Sequence, residues 1–100
     1  TTKKRSSALP NIPTMQESGV EGYDTSTWYG LWAPKGTPAD IVNKLSQTAQ
    51  EALIKPEVIA QYQRMGAEPV GSTPAEFQAY MKSEGKKWAE IVKLSGAKAD

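Results

Sequence analysis

The sequence contains neither cysteine nor histidine, and their absence removes several classes of chemistry. Without thiols or imidazoles the chain cannot build a cysteine protease-type site, a Ser-His-Asp triad, a thiolate zinc site or a histidine metal site. A glycine-rich phosphate loop is also missing, because no Gly-x-Gly or Gly-Lys-Ser/Thr motif occurs. We therefore expect no enzyme, no cofactor and no metal.

An excess of charge of one sign is missing too. Twelve lysines and arginines stand against eleven acidic residues, for a net charge of +1. The only basic run is Lys3-Lys4-Arg5, which has no aromatic neighbour, so we predict no nucleic-acid partner and interpret the run as a solvated loop. No uncharged stretch approaches the roughly 20 apolar residues that cross a bilayer. The length suits a single small soluble domain with one core.

Capping and stop signals predict the helices. Residues 1–13 are expected to form a loop, and the capping box Thr14-Met15-Gln16-Glu17 predicts a short helix over 14–18. Thr37-Pro38 predicts an N-cap and first helical residue, with an apolar stripe facing a sheet and an end near Ile54. Two further helices are predicted, one from Pro56 to a stop at Gly66 and one from Thr73-Pro74 to Gly96.

Strands are predicted at residues 26–33 and 67–71. The first is rich in β-branched and aromatic residues and ends before Pro34, with Trp28 and Trp32 on one face and Tyr29 and Leu31 on the other. Large apolar groups on both faces predict an interior strand, whereas Pro69 makes the second segment an edge. A glycine inside a strand, here Gly30, often marks a close approach to the backbone.

One polar segment suggests a ligand site. Asp24-Thr25-Ser26-Thr27 leads directly into Trp28, and hydroxyl groups beside a large aromatic side chain are typical of sites that orient a polar ligand or small anion. The alternative is that these residues only end a loop and begin a strand. The Glu17 carboxylate is explained by its cap, and we expect no neighbour that shifts its pKa.

Four stretches in order resemble one known family. They are residues 5–14 (RSSALPNIPT), 17–23 (ESGVEGY), 28–38 (WYGLWAPKGTP) and 66–77 (GAEPVGSTPAEF). Together they resemble the C-terminal part of Bug-type receptors, the extracytoplasmic solute-binding proteins of tripartite tricarboxylate transporters. The resemblance runs from about residue 3 to residue 94.

The resemblance implies an α/β fold, a fragment of a two-lobed, type II periplasmic-binding-protein-like or Venus-flytrap architecture with few strands and three to four helices. Residues 1–24 then form a loop and short helix from the end of one lobe. Residues 25–100 supply a crossing strand, helices and a short strand that complete the other lobe. A periplasmic location, with a signal peptide outside this chain, is implied as well.

The function implied is binding of a small carboxylate solute for uptake, with membrane transporter subunits as partners. Ser26, Thr27, Trp28 and Gly30 are the expected ligand-binding residues. Because a lobe that normally encloses the ligand is absent, we expect weak binding by this chain alone and a homo-oligomer through its exposed sheet edge. The alternative function is a non-catalytic protein-interaction module with the same partial fold.

Overall fold

A computed structural model describes residues 1–99, whose regular structure consists of three helices. Helix α1 spans Ala39–Leu53, α2 spans Pro56–Arg64 and α3 spans Pro74–Ser95. Helix α1 contacts both α2 and α3, and residues 1–38 precede them as turns and extended backbone. Among these helices, none has the combination of length and hydropathy needed to cross a membrane.

Local signals place the ends of α2 and α3 as predicted. The Thr73 hydroxyl accepts a hydrogen bond from the Glu76 backbone N–H at 3.2 Å, and the Glu76 carboxylate accepts from the Thr73 N–H at 3.4 Å, completing a capping box. Gly96 ends α3 in the left-handed conformation, with φ 69°. Pro56 begins α2 and Gly66, with φ 70°, follows its end.

The predicted N-cap of α1 is wrong by one residue. The helix begins at Ala39 with Pro38 in the N-cap position and no side-chain cap. The Thr37 hydroxyl donates instead to the Pro34 carbonyl at 2.7 Å, so it closes the preceding turn. The end of α1, with Ile54 as C-cap, is as predicted.

The predicted helix over 14–18 is wrong, although its capping box forms. The Glu17 carboxylate accepts from the Thr14 N–H at 2.8 Å, and the Thr14 hydroxyl accepts from the Glu17 N–H at 3.1 Å. The backbone makes only a turn over 15–19, ended by Gly19 with φ 104°. A single turn between Pro13 and Gly19 is too short to repay the cost of helix nucleation.

Both strand predictions are also wrong for residues 1–99. Residues 26–33 and 67–71 have no regular secondary structure and belong to no ladder. A strand exists only through hydrogen bonds to a neighbouring strand, and no segment of the described chain supplies one. The α/β class and the sheet expected under α1 are therefore not seen, and Tyr29 and Leu31 remain 89% and 78% exposed rather than interior.

The alternation of side chains along residues 26–33 is nevertheless as predicted. Trp28 and Trp32 both pack on α3, where they meet Phe77 at ring-centroid distances of 5.8 and 5.4 Å. Trp28 also meets the Tyr80 ring edge-on at 5.3 Å. We call Trp28, Trp32, Phe77 and Tyr80 the aromatic cluster. The cluster holds residues 26–33, which we call the extended segment, against α3.

Gly30 lies inside this contact, as the prediction of a close backbone approach required. A Cβ atom built on Gly30 would overlap the Phe77 ring and come within 2.9 Å of Trp32. The backbone at Gly30 has an ordinary negative φ, so the need for glycine is one of space rather than conformation.

The single core expected from the length does not form. No apolar side chain in residues 1–99 is buried, and even the cluster aromatics keep part of their surface exposed. The radius of gyration is 16.5 Å, against about 13 Å for a compact domain of this length. The apolar stripe of α1 is half-exposed at Ile41 and Leu45. The described residues are thus less compact than a globular domain of this length and have no buried apolar core.

An ion pair between Arg5 and Glu17 closes the N-terminal loop. Arg5 donates to both carboxylate oxygens of Glu17, with Nε–Oε2 and Nη2–Oε1 distances of 2.9 Å, and to the Pro10 carbonyl. The Arg5 hydrogen bonds, with the Thr14 N–H, lower the pKa of Glu17 from 4.5 to about 2. The expectation that no neighbour shifts this carboxyl is therefore wrong, because Arg5 lies far from it in sequence.

We predict that Gly30→Ala destabilises the protein by about 1–3 kcal/mol, the usual cost of overpacking. The added methyl displaces Phe77 and loosens the aromatic cluster. Urea denaturation followed by tryptophan fluorescence measures the effect. The control is Gly85→Ala on α3, where a Cβ meets nothing within 4 Å and helix propensity predicts a gain of about 0.5–1 kcal/mol. Equal stabilities for the Gly30 variant and the wild type would contradict this packing.

We also predict an acid-sensitive contribution from Glu17. Its pKa is lowered on folding, so its stabilising contribution is complete above pH 4.5 and is lost as the pH falls towards about 2. Glu17→Gln should lower the melting temperature at pH 7 and flatten its decline between these pH values. Thermal melts by circular dichroism test this. Glu21→Gln, at a residue without hydrogen bonds or ion pairs in residues 1–99, should match the wild type.

Candidate functional site

A cavity of about 400 Å³ lies where the N-terminal segment meets residues 26 and 27. Its walls come from the basic run, from the turn that Arg5 and Glu17 close, from the start of the extended segment and from the residue after α2. The lining residues are Thr1, Thr2, Lys4, Arg5, Ser6, Leu9, Ile12, Pro13, Thr14, Ser26, Thr27 and Gly66.

The lining combines positive charge with hydroxyl groups. Two cationic side chains and six hydroxyl side chains contribute, and no acidic residue does. The Arg5 guanidinium is already paired with Glu17, whereas Lys4 makes no ion pair within residues 1–99. Lys4 is therefore the cation free to meet an anion, with hydroxyl donors beside it. No three acidic side chains in the described part of the chain converge to hold a metal ion.

Hydrogen bonds at Asp24 and Thr25 join the two walls of the cavity. The Lys3 backbone N–H donates to Asp24 Oδ1 at 3.1 Å, and the Thr25 N–H donates to the Thr1 carbonyl at 3.0 Å. On another side, the Ser7 N–H donates to the Glu68 carboxylate at 3.2 Å. The N-terminal loop is thus tied both to the extended segment and to the connection between α2 and α3.

Asp24 is also held from α3. Lys87 Nζ donates to the Asp24 carbonyl at 2.8 Å and to Glu84 Oε1 at 3.2 Å. Glu84 is only 7% exposed, on a helix with no other buried residue. Burial acts to raise the pKa of Glu84, but Lys87 and the Tyr80 hydroxyl outweigh it and hold that pKa below its ordinary value. Burial and the Glu84 carboxylate in turn raise the pKa of Tyr80.

The four residues predicted to bind ligand fall into two groups. Ser26 and Thr27 line the cavity with exposed side chains. Trp28 and Gly30 do not line it, because Trp28 belongs to the aromatic cluster and Gly30 lies under Phe77. Ser26 and Thr27 therefore face the cavity, whereas Trp28 and Gly30 pack against α3.

Sequence reasoning missed the cationic wall. Lys4 and Arg5 belong to the run interpreted as a solvated loop, yet both line the cavity. The usable signal was Glu17, an acid twelve positions beyond Arg5, but pairing at that distance cannot be read from helical spacing. Glu84 was not singled out from the sequence either, although Lys87, three residues later on the same helix, was the signal of its partner.

A second cavity, of about 550 Å³, lies between the C-terminal half of α1 and residues 69–71. Its lining residues are Gln47, Gln50, Glu51, Leu53, Ile54, Pro69, Val70 and Gly71. None of the predicted ligand-binding residues takes part, and no cation lies in its wall. The smaller cavity is therefore the better candidate for an anionic ligand.

Comparison with known proteins finds the same family that the four sequence stretches resemble. Residues 1–97 match the model of the family described as tripartite tricarboxylate transporter family receptor. A UPF0065 protein of Agrobacterium vitis is 39% identical over 96% of this chain and 29% of its own length. Protein BugT of Bordetella pertussis is 36% identical over 94% of this chain and 29% of its own length.

Two solved structures are similar in fold as well as sequence. The R. palustris protein Rpa4515 with adipate superposes with a TM-score of 0.82 at 36% identity, covering 96% of this chain and 32% of that one. The periplasmic binding protein BugD superposes with a TM-score of 0.81 at 38% identity, covering 100% of this chain and 34% of that one.

The match covers nearly all of this chain but a minor part of its relatives. The chain spans about 30% of the length of the relatives named here. The described residues adopt the same fold as the corresponding part of these two solved structures. With its family model matched from residue 1 to residue 97, the chain belongs to the receptor family of the tripartite tricarboxylate transporters.

Proposed function

We propose that this chain is the C-terminal part of an extracytoplasmic receptor that binds a small carboxylate solute for uptake by a tripartite tricarboxylate-type transporter. The observation that carries the proposal is the likeness, over 96% of this chain, to a protein whose structure contains adipate. Adipate is a dicarboxylate, and this proposal extends its chemical class, not adipate itself, to the present chain.

The chemistry of the smaller cavity supports a carboxylate. An ionised carboxylate needs donors or cations wherever it leaves water, because burial of an unpaired charge is costly. Lys4 offers the cation, and Ser26 and Thr27 offer hydroxyl donors in the same cavity. We propose that these three residues contact the solute, while Trp28 and Gly30 support them by anchoring the segment on α3.

The length of the relatives supports a site completed by further chain. We propose that residues 1–24 belong to the end of one lobe and residues 25–100 to the other, within a two-lobed periplasmic protein. The remaining lobe segments would then pair with residues 26–33, enclose the solute and present the closed receptor to membrane transporter subunits. Such a receptor needs no catalytic residue.

A second candidate is a non-catalytic interaction module. The exposed side chains of Tyr29 and Leu31 favour it, since a contiguous apolar face commonly marks a protein interface. On this reading a second copy would cover that face, giving the homo-oligomer expected from the sequence. Solute titration of the longer receptor separates the two candidates. Trp28→Ala in that receptor tests the role of Trp28, because unchanged solute affinity with lowered stability assigns it to support rather than to contact.

We predict that Lys4→Gln weakens adipate binding by the longer receptor about tenfold. This loss corresponds to the roughly 1.5 kcal/mol that a hydrogen bond to a charged group contributes. Isothermal titration calorimetry measures the affinity. Lys35→Gln is the control, because Lys35 lies outside the cavity in the turn before α1. Equal losses in both variants, or no loss at Lys4, would contradict a role for Lys4 in the site.

We further predict that residues 1–100 alone bind adipate weakly or not at all. Most residues that line the cavity are exposed to solvent, and the described residues bury no apolar side chain around it. Titration of the isolated chain should give no saturation at millimolar adipate, with sedimentation showing self-association at high concentration. A micromolar dissociation constant from a monomer would overturn the proposed need for further chain.

A further inference from the structure

Lys87 links α3 to residues 24–27 through a side-chain hydrogen bond. Its ammonium reaches the Asp24 carbonyl at 2.8 Å, across 63 positions of sequence. The same ammonium lies 5.8 Å from the centre of the Trp88 ring, which limits the directions the side chain can take. The bond therefore connects a rigid helix to the start of a segment that has no ladder of its own.

Glu84 holds Lys87 in place. Its Oε1 accepts from Lys87 Nζ at 3.2 Å and its Oε2 lies 3.1 Å from the same atom. Glu84 Oε2 is buried and has no hydrogen-bond partner within residues 1–99. A buried carboxylate on an otherwise exposed helix costs free energy unless it is paired. Its position is understandable if its task is to restrict the Lys87 ammonium.

Asp24 transmits this restraint to the cavity. Its carbonyl is held by Lys87, and its carboxylate accepts from the Lys3 N–H on the opposite wall at 3.1 Å. Ser26 and Thr27 follow within three residues. Fixing both sides of Asp24 fixes the point from which the hydroxyl-bearing wall of the cavity begins.

We infer that Lys87, oriented by Glu84, is a positioning residue that sets the backbone of residues 24–27 and thereby the placement of the Ser26 and Thr27 hydroxyls. Its effect on solute affinity rests on the proposed function, whereas its effect on the backbone does not. Lys87 does not itself line the cavity.

The experiment compares Lys87→Met with Lys86→Met in the protein at its natural length. Lys86 is the neighbouring lysine, exposed and without a hydrogen bond or ion pair in residues 1–99. Amide hydrogen exchange is measured without ligand, and adipate affinity is measured by calorimetry. For Lys87→Met we expect about tenfold faster exchange confined to residues 24–28 and about tenfold weaker adipate binding. Lys87→Arg should restore part of both.

The outcomes separate the two claims. Faster exchange confined to residues 24–28, with weaker binding, supports the inference in full. The same local exchange in Lys87→Met, combined with a wild-type protein that binds no dicarboxylate, supports the backbone restraint and overturns the carboxylate role. Unchanged exchange at residues 24–28, or faster exchange throughout α3, overturns the restraint itself. Local exchange with unchanged adipate affinity overturns the link to the site.

Discussion

The packing of Trp28 and Trp32 on Phe77 across Gly30 is the contact on which the rest of the structure depends. It is made possible by a glycine whose missing side chain lets the Phe77 ring approach the extended backbone. Aromatic pairs of this kind contribute about 0.5–1.5 kcal/mol each beyond their burial. Since residues 1–99 contain no buried apolar side chain, these rings are the main apolar link between the first 38 residues and the helices.

Hydrogen bonds then hold the residues that line the candidate site. The aromatic cluster holds residues 28–32, and Lys87 holds the Asp24 carbonyl. Asp24 and Thr25 in turn hold the N-terminal loop through hydrogen bonds to Lys3 and Thr1. Ser26 and Thr27 lie between these two anchors. Opposite them, Arg5 is neutralised by Glu17, which leaves Lys4 as the cation facing the hydroxyls. Individually such exposed ties are weak, so their value lies in position rather than stability.

Most of the correct predictions rested on local signals, although the N-cap at Thr37 and the helix over 14–18 show that a local signal can also fail. Thr73 with Glu76, Pro56 and Gly96 mark helix ends because each acts within one turn of its own position. Residues 26–33 have the composition of a strand, but a strand needs a partner, and residues 1–99 supply none. Ser26 and Thr27 were singled out from composition, whereas the place of Lys4 in the same cavity and the bond from Lys87 to Asp24 depend on contacts between distant segments.

On the proposed function, the described residues form one wall of a ligand site. The measurement that tests this most directly is a crystal structure, with adipate, of the protein at its natural length. The account predicts a carboxylate within about 3.2 Å of a hydroxyl of Ser26 or Thr27, with Tyr29 and Leu31 covered by an added strand. Adipate bound with both hydroxyls out of hydrogen-bonding range, or residues 26–33 still unpaired, would contradict it.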